Sequence, residues 1–278
     1  MERLATRRIP SSGEELPVIG LGTWQSFDVG DAERERAPLR AVLRALVDGG
    51  ASMIDSSPMY GHSEEVVGDL VEELAIRPRV FVATKVWTRG ERRGREQIAE
   101  SFRKLRVGRI DLLQVHNLVD VDVHLATLRE LQAAGRVRYV GVTHYTASAH
   151  AEVEAVLRRE RVDFLQINYS VAEREAERRL LPLARDRGVA VIANRPLLIG
   201  ALLRRVGRAA LPAWAREHGY TTWAQLLLAF VAAHPAITCA IPATSDPAHL
   251  RDDLATAALP LPDEHLRARI VEAIDAIA

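Results

Sequence analysis

Ile110–Val115 (IDLLQV) is a short apolar run that leads directly into His116. A run this short and this apolar reads as a strand buried on both faces, as the strands of a parallel sheet are. Comparable runs lie on either side at intervals of about 25 to 30 residues. Upstream are Val80–Thr84, Met53–Asp55 and Val18–Leu21; downstream are Tyr139–Val142, Phe164–Ile167, Val189–Ala193 and Cys239–Ile241. Eight strands are therefore expected, with a helical pattern in each gap.

The gaps carry helix signals. Between Ala37 and Asp48, Leu39, Val42, Leu43 and Leu46 fall on one helical face. Ser63 is expected to cap the next helix, with Glu64 and Glu65 in its first turn. Thr222–Gln225 (TWAQ) is a capping-box pattern, and Asp246-Pro247 reads as an N-cap followed by proline at the first helical position. Gly135 and Gly188 stand where helices should stop. Asp263–Ile277 reads as an extra C-terminal helix, and the residues before Gly20 as a hairpin plugging a barrel floor. A strand–helix unit repeated eight times in 278 residues predicts the α/β class and a closed (β/α)8 TIM barrel, one domain spanning residues 1–278. An open doubly wound sheet would want a Gly-rich turn opening a helix. Gly20-Leu21-Gly22 lacks both the third glycine and the helix.

Composition narrows the function. Acids and bases balance to a formal net charge of zero, which argues against a nucleic-acid binder and for a small-molecule partner. Cys239 is the single cysteine, so no internal disulfide can form; it reads as a buried, inert strand residue. Arg7-Arg8 is followed by no apolar stretch of the signal-peptide kind. No run of about 18 apolar residues exists to cross a membrane. A cytoplasmic protein is expected; nothing in the chain fixes its oligomeric state, and a monomer is compatible with it. Among the many cationic residues only Lys85 and Lys104 are lysine. Where arginine is so favoured, a lysine at a strand end fits a need for a compact ammonium. Lys104 sits on an expected helix beside Arg103 and reads as surface.

Active sites of such barrels lie at the C-terminal ends of the strands. The polar residues expected there include Thr23 and Trp24, Asp55 and Tyr60, Lys85 and Trp87, His116 and Asn117, Thr143 and His144, Gln166 and Asn168, Asn194 and Arg195, and Thr244 and Ser245. Asp55, Tyr60, Lys85 and His116 come from three neighbouring strands. A tyrosine is a poor acid at neutral pH, and a nearby ammonium lowers its pKa by stabilising the phenolate. Lys85 is expected to supply that charge, with Asp55 as the partner that keeps it protonated. His116 can hydrogen-bond a substrate oxygen. A carbonyl between Tyr60 and His116 then needs only a hydride, which side chains cannot supply and a nicotinamide can. Taken singly, each residue has a bland role: a loop-capping Asp, a turn Tyr, a rim Lys, a satisfied His. The conjunction at neighbouring strand ends is what points to chemistry.

Several stretches carry a family resemblance: Ile19–Trp24 (IGLGTW), Ile54–Glu64 (IDSSPMYGHSE), Ala83–Lys85 (ATK), Asp111–His116 (DLLQVH), Gly135–Val142 (GRVRYVGV) and Gln166–Asn168 (QIN). With these the chain resembles the aldo-keto reductases over almost its full length. The resemblance implies Asp55, Tyr60, Lys85 and His116 as a catalytic tetrad. It also implies NADPH, with NADH possible, bound extended across the barrel top. Thr143, His144 and Gln166 would hold the carboxamide. Further cofactor-binding positions expected on the same basis are Gly22, Thr23, Trp24 and Asp55, then Asn194, Arg195, Pro196, Leu197 and Gly200. Thr244, Ser245, His249, Asp252 and Asp253 complete that set after the last strand. Trp24, Tyr60, Trp87, His116 and Asn117 would line the substrate pocket, and no metal is implied.

The chain departs from the family pattern at three places. Thr143-His144 replaces the usual Ser-Asn, Asn194 stands where many members stack a tyrosine under the nicotinamide, and Ala243 and His249 replace a Lys and an Arg expected near a 2′-phosphate. Rival readings are a Schiff-base aldolase using Lys85, a metal-dependent hydrolase or isomerase using His62, His116 and His144, and a cofactor-binding sensor with little turnover. Smaller expectations follow. Arg89–Arg95 (RGERRGR) is a solvated basic loop, His62 is structural, and Trp214 and Trp223 are helix packing residues. The connections after the fourth and seventh strands are short.

Overall fold

A computed structural model describes residues 3–277 and turns all eight runs into strands of one sheet. They are β3 (Leu21–Gly22), β4 (Met53–Asp55), β5 (Phe81–Val86), β6 (Ile110–His116), β7 (Val137–Thr143), β8 (Phe164–Asn168), β9 (Ala190–Asn194) and β10 (Cys239–Ala240). Neighbours in sequence are neighbours in the sheet, every pair is parallel, and parallel bridges Ile19–Ala240 and Gly22–Ala243 close the barrel. The first run is shorter than expected as a strand. Val18 gives its N–H to the Ala5 carbonyl, so only Leu21 and Gly22 ladder with β4.

The expected hairpin precedes the barrel: β1 (Thr6–Arg8) pairs antiparallel with β2 (Glu15–Pro17). Its Ile9 and Leu16 are buried with Met53, Phe81, Ala83, Leu112, Tyr139, Phe164, Ala190 and Ile192 in a core separate from the larger one. That cluster fills the lower lumen. The larger core lies between sheet and helices and takes the alternate residues, such as Ile54, Val82, Leu113 and Leu165. Side chains alternate with a period of two along a strand. Met53 is followed on the inner face by Asp55, Phe81 and Ala83 by Lys85, Leu112 by Gln114 and His116, and Phe164 by Gln166. The lumen is therefore apolar below and polar at its upper rim.

Helices cover the sheet: α1 (Glu33–Asp48), α2 (Ser63–Glu73), α3 (Glu91–Lys104), α4 (Val121–Ala133), α5 (His150–Arg159) and α6 (Leu180–Asp186). After these come α7 (Ala201–Val206), α8 (Ala213–Glu217), α9 (Trp223–Ala233), α10 (Pro247–Ala255) and the expected C-terminal α11 (Glu264–Asp275). Asp246 caps α10 by accepting from Ala248 N, and Thr222 caps α9 by accepting from Gln225 N. Gly135 and Gly188 follow α4 and α6 at φ +70° and +65°.

Four local expectations change. Ser63 is not the cap of α2; His62 precedes the helix, and the Ser63 hydroxyl is donated to Thr23 Oγ1 at 2.7 Å. The TWAQ box is only half closed, because Gln225 Oε1 accepts from Thr221 N, one residue before the cap. The arginine stretch is not a loop beyond Gly90. Glu91 opens α3, and the ion pairs Arg95–Glu91 and Arg92–Glu96 join residues one turn apart, a spacing that supports helix. The connection after β9 is not short, since residues 195–222 hold α7 and α8 before α9 returns to the barrel wall. Among the described residues no helix is long and apolar enough to cross a membrane.

Candidate active site

The polar upper rim is built around one buried ion pair. Lys85 is fully buried, and its Nζ donates to Asp55 Oδ2 at 2.7 Å and to the Ser56 carbonyl at 2.7 Å. Asp55 Oδ1 accepts from Gln166 Nε2 at 2.9 Å and, more weakly, from Gln114 Nε2 at 3.5 Å. Burying one charge alone would be costly, and removing either partner leaves the other stranded. Burial on its own would drive the Lys85 proton off, but Asp55 and Tyr60 outweigh it and raise the ammonium above its usual value. Lys85 therefore stays cationic.

Tyr60 lies on the turn between β4 and α2. Gly61 takes φ +59°, and a Cβ there would strike the Asp28 carboxylate. Asp28 in turn accepts from His62 N at 2.9 Å and from the His62 ring. The His62 backbone N–H is the main reason its carboxyl sits below the usual range. His62 is thus structural, and Asp28 is the clamp that sequence reading missed. So held, Tyr60 sits beside Lys85, whose Nζ lies 5.0 Å from the phenol ring centre. The phenol does not titrate as anticipated. Burial raises it more than the Lys85 charge lowers it, so the hydroxyl keeps its proton in the resting protein.

His116 completes the group. Its ring packs edge-on against Tyr60 at 6.2 Å and tilted against Trp87 at 6.4 Å between centroids. Burial, then the Lys85 and His144 charges, drive its pKa down to about 2, so the imidazole is neutral. Trp24, Met59 and Trp87 are each about two-fifths exposed around it. Met59 was not singled out from sequence. Asn117 begins the next turn at φ +53°, with its Oδ1 sealed and unpaired.

The remaining rim residues divide. Thr143 Oγ1 donates to Gln166 Oε1 at 3.1 Å, so both are committed to the ring of groups around Asp55. Thr23 is fully buried and donates to the Asp55 carbonyl at 3.0 Å, bracing β4 from below. Gly22 is part of the barrel seam. His144 is different: Nδ1 accepts from Tyr145 N at 3.0 Å and from Thr146 N at 3.3 Å. Burial lowers its pKa. The ring is neutral and carries its proton on Nε2. Asn194 Nδ2 donates to the His144 carbonyl at 3.0 Å, which leaves Asn194 Oδ1 buried with no partner. Arg195, Pro196, Leu197 and Gly200 form the following turn, where Arg195, Leu198 and Ile199 adopt positive φ and Arg195 donates to the Tyr145 carbonyl.

The last cofactor candidates lie further out. Thr244 and Ser245 lead into α10, Thr244 Oγ1 accepts from Asp246 N, and His249 faces Asp246 at 3.9 Å. Ser245 borders a groove of about 480 Å³ shared with Gln25, Ser26 and Arg34. The two aspartates that follow lie on α10. Asp252 accepts from Thr222 and Gln225, both at 2.7 Å, tying α10 to α9. Asp253 is buried, and burial with the neighbouring Asp252 pushes its carboxyl up to about 8. Among the described residues no three His, Cys, Asp or Glu side chains converge as metal ligands would.

Comparisons with known proteins agree with this geometry. Residues 18–275 match the aldo/keto reductase family. The chain is 30% identical to methylglyoxal reductase YeaE of Escherichia coli, over 90% of this chain and 88% of that one. It is 32% identical to aldo-keto reductase YhdN of Bacillus subtilis over 70% of this chain, a match spanning 61% of YhdN. An E. coli NADH-specific methylglyoxal reductase is 28% identical over 76% of this chain and 74% of its own. The crystal structure of a Klebsiella pneumoniae aldo-keto reductase in complex with NADPH superposes with a TM-score of 0.83 at 28% identity, covering 98% of this chain and 95% of that one. The chain belongs to the aldo/keto reductase family and is, with it, an oxidoreductase acting on carbonyl groups.

Proposed function

We propose that the protein reduces a small aldehyde or ketone to the alcohol, reversibly, with Tyr60 as proton donor. The observation that carries this reading is the Lys85 ammonium, paired to Asp55 at 2.7 Å and set against the Tyr60 ring beside a neutral His116. His116 offers a hydrogen bond to the carbonyl oxygen and polarises it. A reduced nicotinamide supplies the hydride when bound. As negative charge builds on the oxygen, Tyr60 gives it a proton, because an alkoxide is a far stronger base than a phenolate. Lys85 then stabilises the phenolate left behind. The raised resting pKa of Tyr60 suits this order, since the proton is present until the alkoxide calls for it.

The carboxamide of the nicotinamide is assigned to His144 Nε2–H, the rim donor left free by the ring's Nδ1 contacts. NADPH is the first choice of cofactor, as in the Klebsiella complex. NADH is a real alternative, as for the NADH-specific relative, because Ala243 and His249 leave few cations for a 2′-phosphate. Two relatives are methylglyoxal reductases, so 2-oxoaldehydes head the substrate panel. A Schiff-base role for Lys85 is disfavoured, because attack needs a neutral amine and this one is held charged. The test is turnover of an aldehyde panel with each cofactor by Tyr60→Phe. Loss of about 10²–10⁴-fold in kcat, with cofactor fluorescence titration unchanged, is expected. Full activity in that variant removes Tyr60 from the role.

A further inference from the structure

We infer that Ser57 is a positioning residue that holds the proton of His116 on Nε2, the nitrogen turned to the substrate. This rests on the carbonyl-reductase reading of the site. Ser57 is fully buried between Asp55 and Tyr60 in sequence, and its Oγ lies 3.3 Å from His116 Nδ1.

The direction of that hydrogen bond follows from satisfaction of partners. Ser57 Oγ already accepts from Met59 N at 3.5 Å. A buried hydroxyl whose own proton finds no acceptor costs free energy, and the acceptor within reach of Ser57 is His116 Nδ1. Ser57 therefore donates, Nδ1 accepts, and a neutral imidazole must carry its hydrogen on Nε2. No protein group among the described residues pairs with Nε2, and it is not one of the sealed, unpaired polar atoms. It opens on the cleft bordered by Tyr60 and Trp87. The opposite tautomer would strand the serine proton and present the substrate oxygen with a lone pair instead of a donor. Lys85 and His144 are the charged and titratable groups nearest the ring besides Tyr60, and both disfavour imidazolium, so the choice between neutral tautomers is the one that matters. The turn fixes the serine: its carbonyl accepts from Tyr60 N at 3.0 Å, so one short segment aims both the proton donor and the hydroxyl that sets the imidazole.

The experiment is ¹⁵N NMR of the full chain labelled at histidine, with His116→Gln identifying the His116 signals. The unaltered protein is expected to show a pyrrole-type Nε2 and a pyridine-type Nδ1. Ser57→Ala should move the ring toward protonated Nδ1 and lower kcat by about ten- to hundredfold, the usual scale for losing a histidine's orienting partner, with KM changed less. Ser57→Thr, which keeps the hydroxyl, should restore both. A protonated Nδ1 in the unaltered protein overturns the proposal. So does a His116 spectrum unchanged in Ser57→Ala, even if kcat falls, because the serine would then act by packing alone. Failure of the unaltered protein to reduce any carbonyl compound would instead defeat the reductase reading, and the ring signals would still decide the role of Ser57.

Discussion

The two ends of this barrel obey different rules. At the floor, Ile9 and Leu16 of the hairpin close on Phe81, Tyr139 and Phe164, whose rings lie 5.5–6.1 Å apart. Most polar groups there find partners, as where Tyr139 donates to Glu14 at 2.6 Å and Arg138 to Asp111 at 3.0 Å, although Arg7 Nε is sealed without one and Ala75 and Arg106 take positive φ. At the rim, Asn117, Leu118, Asp120, Arg195, Leu198 and Ile199 all adopt positive φ. Asn117 Oδ1, Asn194 Oδ1 and Arg195 Nε are sealed without partners, and Trp24, Trp87 and Tyr145 stand exposed. Backbone strain and unsatisfied polar atoms cost stability and persist where function needs them. The rim concentrates these costs around the candidate site, and the floor carries fewer of them.

Lys85→Met tests the rim end of that division most severely. Aldehyde reduction should fall by about 10³-fold or more, as when a key stabiliser of transition-state charge is removed. The variant should also lose about 3–5 kcal/mol of stability, because Asp55 is left charged and buried. Steady-state kinetics and denaturant unfolding measure the two separately. Lys85→Arg sharpens the point. A guanidinium cannot reproduce two 2.7 Å contacts from one nitrogen in a fully buried slot, so it should be inactive despite its charge. An active Lys85→Arg would show that charge alone suffices.

Phe164→Ala is the matching test of the floor. Removing a fully buried ring from the lower lumen should cost about 3–5 kcal/mol, read as a shift in urea midpoint. The folded fraction should keep kcat within about twofold, given additivity of distant sites. A large fall in kcat at full folding would mean that the floor sets the geometry of the rim and that the two ends are not separable.

The same contrast explains what the amino-acid sequence revealed. The eight strands were legible because burial on both faces leaves unbroken apolar runs, and the hairpin because Ile9 and Leu16 are placed to close a floor. The convergence of Asp55, Tyr60, Lys85 and His116 was legible by residue type and position at strand ends. Ser57, Gln114 and Asp28 were not. Their roles are defined by partners 59, 59 and 34 residues away, and each belongs to a type that is ordinary in a turn or strand. The sign of the Tyr60 shift was misjudged for a related reason. A neighbouring ammonium is visible in sequence, but the depth of burial that outweighs it is not. The arginine stretch after β5 hid a helix start, since its Glu–Arg pairs matter only once a helical spacing is assumed.

The smallest effect comes from behind the rim. Glu64 is buried on the outer side of β5, where its Oε1 accepts from Thr84 at 2.6 Å while Oε2 has no partner and Ser101 Oγ also has none. Burial raises its carboxyl above the usual range, and the Thr84 hydrogen bond and the charges of Lys104 and Lys85 only partly offset this. A folded state with the higher carboxyl pKa binds the proton more tightly than the unfolded chain. Its contribution to stability is therefore full below the unfolded value, near pH 4, and is lost as pH rises through the raised folded value. Glu64→Gln keeps an acceptor for Thr84, gains an N–H for Ser101 and never ionises. It should raise Tm at pH 8 and leave it unchanged at about pH 4. The thermal melts should converge as pH falls. A gain independent of pH would mean that packing, not the carboxylate charge, is what Glu64 costs the fold, while a loss at pH 8 would mean that its attraction to the two lysines outweighs its burial.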